Sequence, residues 1–114
     1  MQIINNNIEG SAFVIGPYKD PVANVKSGEI FQIQTLDAFG NKVDYSTSDI
    51  TKVIQMPFVN PLVGPIYVEG AQKGDSLAVT IISIETSRDY GVSAIIPEFG
   101  GLCATPLTRT LNEP

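Results

Sequence analysis

At 114 residues the chain has the size of one domain, 1–114, able to bury about two-thirds of its unfolded surface in a single core. Seven basic residues against twelve acidic ones give a net charge of −5. The basic residues are scattered between Lys19 and Arg109, which excludes the concentrated patch that nucleic acid or an anionic membrane surface requires.

Histidine is absent. The commonest general base and metal ligand near neutral pH is therefore missing, and chemistry must use carboxylates or groups from elsewhere. The single cysteine, Cys103, cannot close an internal disulfide, so a cytoplasmic protein is the default expectation. Mean hydropathy is positive although only 17% of the residues are charged. Such a chain is expected to carry apolar surface that another domain or subunit covers.

In chain order, the opening Met1–Gly10 has no basic stretch followed by an apolar run, so no signal peptide is expected. No segment approaches the roughly 18 apolar residues of a membrane helix. Strands are expected at Ser11–Ile15, Val22–Val25 and Glu29–Leu36. In the third, Phe31 and Ile33 share one face and Gln32 and Gln34 the other, the pattern of a half-buried strand. The polar run Asp44–Thr51 is expected to be a surface loop, with further strands at Lys52–Met56 and Ile66–Glu69. In Ser76–Glu85, Leu77, Val79 and Ile81 line one face, but Ile82 and Ile84 line the other. Either both faces are covered there or a bulge switches the register. A last strand is expected at Gly91–Ile96, and the tail from Gly100 to Pro114 has no clear period.

No window sustains a helical apolar period beyond two turns, so little helix is expected. Short strands punctuated by Gly, Pro, Asn and Asp suggest a sandwich or barrel. A weak echo links Val25-Lys26-Ser27-Gly28-Glu29 with Ala71-Gln72-Lys73-Gly74-Asp75. In both, a glycine can supply positive φ and an acidic residue opens the next strand. Such turns are common, and the echo is not taken as a repeat.

The most specific stretch is Asn60-Pro61-Leu62-Val63-Gly64-Pro65-Ile66-Tyr67-Val68-Glu69-Gly70-Ala71. It resembles the NPxTGPxYVEGA signature of the acetamidase/formamidase family, with Val63 in place of the usual threonine. Lys73-Gly74-Asp75-Ser76-Leu77-Ala78-Val79 looks like that family's GDxLxV strand. Upstream, Val25–Glu29 and Thr35-Leu36-Asp37-Ala38-Phe39-Gly40 resemble its VKPGE and ETxDAxGG segments. There Ser27 replaces proline, Gln34 stands where glutamate is common, and Asn41 replaces the second glycine. Downstream, Ala94–Gly101 resembles its IPGFG turn, with Glu98 at the glycine position.

The resemblance implies hydrolysis of a small linear amide to a carboxylate and ammonia. It also implies a longer chain, whose histidine-bearing and acidic segments lie downstream of anything present here and build a metal-assisted site. A divalent metal of unknown identity would belong to the complete enzyme, with its ligands mostly outside these residues.

Glu69 lies in an apolar context and could act as acid, base or metal ligand, or simply cap turn amides or pair with a lysine. Asp37 ends a strand, where an aspartate commonly closes an Asx-turn but could also orient a substrate. Asn60, Gly64, Pro65, Tyr67 and Gly70 form either a rigid bend between strands or the wall of a substrate pocket. Cys103 lacks the base and electropositive setting of a catalytic thiol. Tyr18, Tyr45, Tyr67 and Tyr90 are expected in the core or at an interface.

The expectation is therefore an all-β, jelly-roll-like β-sandwich with little helix. It would be the amino-terminal portion of a linear-amide hydrolase, incomplete alone, completed by a missing downstream domain or subunit, and a homo-oligomer. The alternative is a stand-alone β-sandwich binding or assembly module; the absence of tryptophan weakens it for carbohydrate.

Overall fold

Proline and glycine punctuation cuts the chain into very short strands, and the computed structural model contains four of them among its described residues, 1–7, 9–96 and 99–101. These are β1 (Gln2–Ile4), β2 (Ala23–Val25), β3 (Phe31–Ile33) and β4 (Ile66–Val68). The expectations placed on Glu98, Cys103 and the tail through Pro114 lie outside the described residues.

β1 pairs with β3 and β2 with β4, both in parallel, giving two two-stranded sheets. Gln2 stands opposite Phe31 and Ile4 opposite Ile33 in the first; Ala23 faces Ile66 and Val25 faces Val68 in the second. The second pairing is extended at both ends by Val22 N–H donating to Pro65 O and Glu69 N–H to Val25 O, each at 2.8 Å. An isolated antiparallel bridge joins Ala12 to Leu62.

β2 stops where it does because of the turn that follows it. Glu29 N–H donates to Lys26 O at 3.0 Å, Lys26 N–H donates to the Glu29 carboxylate at 2.8 Å, and Gly28 takes φ +78°. The sequence echo recurs in space. Asp75 N–H donates to Gln72 O at 3.0 Å, Gln72 N–H donates to the Asp75 carboxylate at 2.9 Å, and Gly74 takes φ +103°.

Burial is sparse. Among the described residues the buried apolar side chains are Ile4 from β1, Val25 from β2, Val43 and Ile50 from the intervening loops, and Pro61 before β4. Accessible surface is 9400 Å², against about 6,100 Å² for a compact monomer of this mass. The radius of gyration is 18.0 Å, against about 13 Å.

The chain is mostly non-helical, with short strands in small sheets, in accord with an all-β class. Several strand expectations need correction. Ser11–Ile15 contributes only the Ala12 bridge. Lys52–Met56 is not a strand, because Asp49 caps a 3-10 turn at Ile50–Lys52, its carboxylate accepting from Thr51 N–H at 3.0 Å. Ser76–Glu85 and Gly91–Ile96 pair with nothing among the described residues, and β1 was not foreseen. No helix among the described residues is long and apolar enough to cross a membrane.

Candidate functional site

The segment from Asn60 to Gly70 is a bend built by unusual backbone torsions. Asn60 takes φ +56°, Gly64 +123° and Gly70 +82°, all in the region that glycine tolerates best and asparagine next. Pro61 and Gly64 are buried, so the bend is anchored at its middle. Phe13 and Phe58 pack edge to face beside it at 5.4 Å between centroids. Pro65 closes one wall of a small recess of about 160 Å³ lined also by Phe13, Tyr18 and Lys19.

β4 then carries the chain outward. Tyr67 is half exposed and lies opposite Asn24, while Glu69 and Gly70 are exposed at the strand's end. The Glu69 backbone is held by Val25, but its carboxylate makes no hydrogen bond or ion pair among the described residues. The apolar context of Glu69 in the sequence thus does not become burial.

The bend is tied to a second element. Asn60 N–H donates to Ala38 O at 2.8 Å, bringing it against the turn from Asp37 to Asn41. Asp37 Oδ1 accepts from Phe39 N–H at 2.9 Å and Asn41 N–H at 2.7 Å, while Asp37 N–H donates to Asn41 Oδ1 at 3.1 Å. Gly40 and Asn41 both have positive φ, +65° and +59°. Asparagine can replace the second glycine of the resembled motif because it is the residue that best tolerates this conformation after glycine.

Asp37 Oδ2 is taken by Arg88, whose Nη2 donates to it. Partial burial pushes this carboxyl up, but the Asn41 amide, the Arg88 guanidinium and the Phe39 amide outweigh it and hold it below the usual range. Asp37 is thereby kept ionised, with both oxygens occupied. That is the geometry of a turn-closing acceptor, not of a free proton carrier.

Arg88 also lies over the Tyr90 ring, 4.9 Å from its centroid, and Tyr90 meets Tyr45 edge to face at 5.5 Å. Tyr45, Tyr90, Asp44 and Ser93 help line an open cleft of about 510 Å³. Hydrogen bonds from the Ser46 hydroxyl and amide hold Asp44 below its ordinary value. Tyr18, Tyr45, Tyr67 and Tyr90 are all exposed here, so none is a core residue of this chain.

The structure therefore brings Asp37 and Asn60 together and places Tyr67, Glu69 and Gly70 at the far end of β4. Sequence reasoning missed Arg88, whose partner lies 51 residues away, and no local pattern announces it. No cluster of three or more His, Cys, Asp or Glu side chains that could hold a metal ion occurs among the described residues.

Comparison with known proteins matches residues 16–106 to the model of the Acetamidase/Formamidase family. A formamidase of Methylophilus methylotrophus is 36% identical over 84 residues, covering 70% of this chain and 20% of that protein. The crystal structure of an acetamidase from Yersinia enterocolitica superposes with a TM-score of 0.69 at 31% identity, covering 99% of this chain and 35% of that one. The chain thus spans about a fifth to a third of the length of these relatives.

Proposed function

Since this chain belongs to the acetamidase/formamidase family, we propose that it serves as the amino-terminal β-rich portion of a linear-amide hydrolase, and that it does not turn over substrate alone. The observation that carries this reading is the bend Asn60–Gly70. It lies within the matched residues, is anchored by the buried Pro61 and Gly64, and presents Tyr67 and Glu69 on its open side.

The reaction adds water to the amide carbonyl, breaks the C–N bond and releases a carboxylate and ammonia. It needs a group that takes a proton from water and one that returns a proton to the leaving nitrogen. Glu69 is the carboxylate in the bend free to join such an exchange, its oxygens making no bond among the described residues. Asp37 acts at one remove, fixing the turn against which Asn60 is held. Tyr67 and Pro65 supply wall. A divalent metal, where the complete enzyme uses one, would supply a Lewis acid for the carbonyl or an activated water. The described residues do not assemble a ligand set for it.

On this reading the protein is cytoplasmic and works within a larger assembly, as a jelly-roll-like sandwich completed by further polypeptide and as a homo-oligomer. The test is ammonia release from formamide and acetamide at high protein concentration. The purified 114-residue chain is expected to give none above background, and robust turnover would refute its dependence on other chain.

A further inference from the structure

The stretch after the second turn stands apart from everything described so far. From Asp75 to Thr86 the chain runs with no turn or bend, and from Ser76 to Ser87 its backbone forms no hydrogen bond among the described residues. Leu77, Val79, Ile81, Ile82 and Ile84 are each between 63% and 82% exposed. No charged residue or proline interrupts Ser76–Ile84. Natural edge strands are protected by charges, prolines or bulges. This stretch has no charge or proline to protect it.

The twin turns say what the stretch is. The turn at Lys26–Glu29 delivers the chain into β3, which has β1 beside it. The turn at Gln72–Asp75, closed by the same two bonds, delivers it into residues 76–85, whose backbone has no hydrogen-bonded neighbour among the described residues. Alternation in an extended chain puts Leu77, Val79 and Ile81 on one face and Ile82 and Ile84 on the other. Apolar groups on both faces belong to a strand inside a sheet that is covered on both sides.

Resting on the hydrolase reading above, we infer that residues 76–85 are a central strand. Its neighbours and covering layers come from the part of an acetamidase-type enzyme that has no counterpart in these 114 residues. A second copy of this chain is a poorer occupant, because edge-to-edge pairing of two ribbons satisfies one edge of each and leaves the faces open. The acetamidase sharing this fold has the needed polypeptide, since the present chain covers only 35% of it.

The experiment follows amide hydrogen exchange at residues 76–85 by mass spectrometry. The chain is measured alone at low and high concentration, and after co-expression with the portion of the Yersinia enterocolitica acetamidase that it does not cover. Alone, these amides are expected to exchange like a free peptide at both concentrations. In the complex their exchange slows by about 100-fold or more. The double variant Ile82→Lys with Ile84→Lys is expected to abolish that protection. Both side chains are exposed, so exchange at β2 and β4 in the variant alone should stay as in the parent. Failure to form a complex, or a complex in which these amides stay unprotected, overturns the inference. Protection that rises with concentration in the chain alone overturns it in favour of self-pairing. Ammonia release in the same mixture reads the hydrolase proposal separately: protection without ammonia sinks that proposal and leaves the strand assignment standing.

Discussion

Two turns of the same construction lead to opposite outcomes in this molecule. After Lys26–Glu29 the chain enters a sheet with β1, and the residues from Gln2 to Val68 hold the buried Ile4, Val25, Val43, Ile50, Pro61 and Gly64. After Gln72–Asp75 the chain runs out into solvent with its aliphatic side chains uncovered. Local chemistry is alike in both places: a positive-φ glycine, an acidic side chain closing back on a backbone amide, then β-branched residues. The difference teaches that a strand is completed by what lies beside it, and that turn chemistry only delivers it to the place.

The largest contrast is expected from truncating one isoleucine in each region. Ile4→Ala removes a buried side chain of the β1–β3 sheet and is expected to cost about 2–5 kcal/mol. Ile82→Ala should change stability by no more than about 0.5 kcal/mol, because the side chain is already solvated. Urea unfolding of both variants measures this, and equal losses would mean that the exposed ribbon is packed in solution.

A smaller contrast comes from the glycines. Gly64 has φ +123° and a Cβ there would meet Ile66 N at 3.5 Å, an ordinary contact. Gly64→Ala is therefore penalised through its torsion, by about 1–3 kcal/mol. Gly91 has open space around it and no left-handed torsion, so Gly91→Ala should lie within about 0.5 kcal/mol of the parent. Thermal unfolding that ranks the two in the opposite order would show that the bend is less rigid than its buried middle implies.

The smallest effect concerns the contact that joins the two regions. Arg88 and Asp37 are each 23% exposed, so solvent screens their pairing, and Arg88→Met should lower stability only slightly. The folded-state pKa of Asp37 is lowered from 3.8, so its stabilisation is complete above that value and is lost as the pH falls through the folded value. Unfolding midpoints taken from neutral to acid pH should decline through that window, and less steeply in Arg88→Met. An unchanged acid profile in the variant would show that the Asn41 and Phe39 amides alone set the titration.

What could be read from the sequence was what neighbouring residues decide. β2, β3 and β4 fall inside expected strands because glycine, proline and acidic residues mark their ends. The Asx-type closure at Asp37 was legible for the same reason, and so were the Asn60–Gly70 bend and its family. The misses have physical causes of two kinds. The β-propensity of Lys52–Met56 favours a strand, but the Asp49 side chain captures the start of that segment for a 3-10 turn. β1 is three residues long and owes its existence to β3, a partner no local pattern reveals. Arg88 at the site belongs to the second kind, since its match to Asp37 depends on how the chain returns.

The order of pairing also bears on how the polypeptide is made. β1 and β2 leave the ribosome before either of their mates exists, and parallel mates cannot be supplied by a tight hairpin. The first sheet must wait for Ile33 and the second for Val68, so the two closures are threaded through each other along the chain. Until then the nascent segment carries Ile4 and Val25 unsheltered, and such non-local pairing is slow and open to chaperone capture. A protease nick between Val25 and Phe31 would separate both pairs of mates at one stroke.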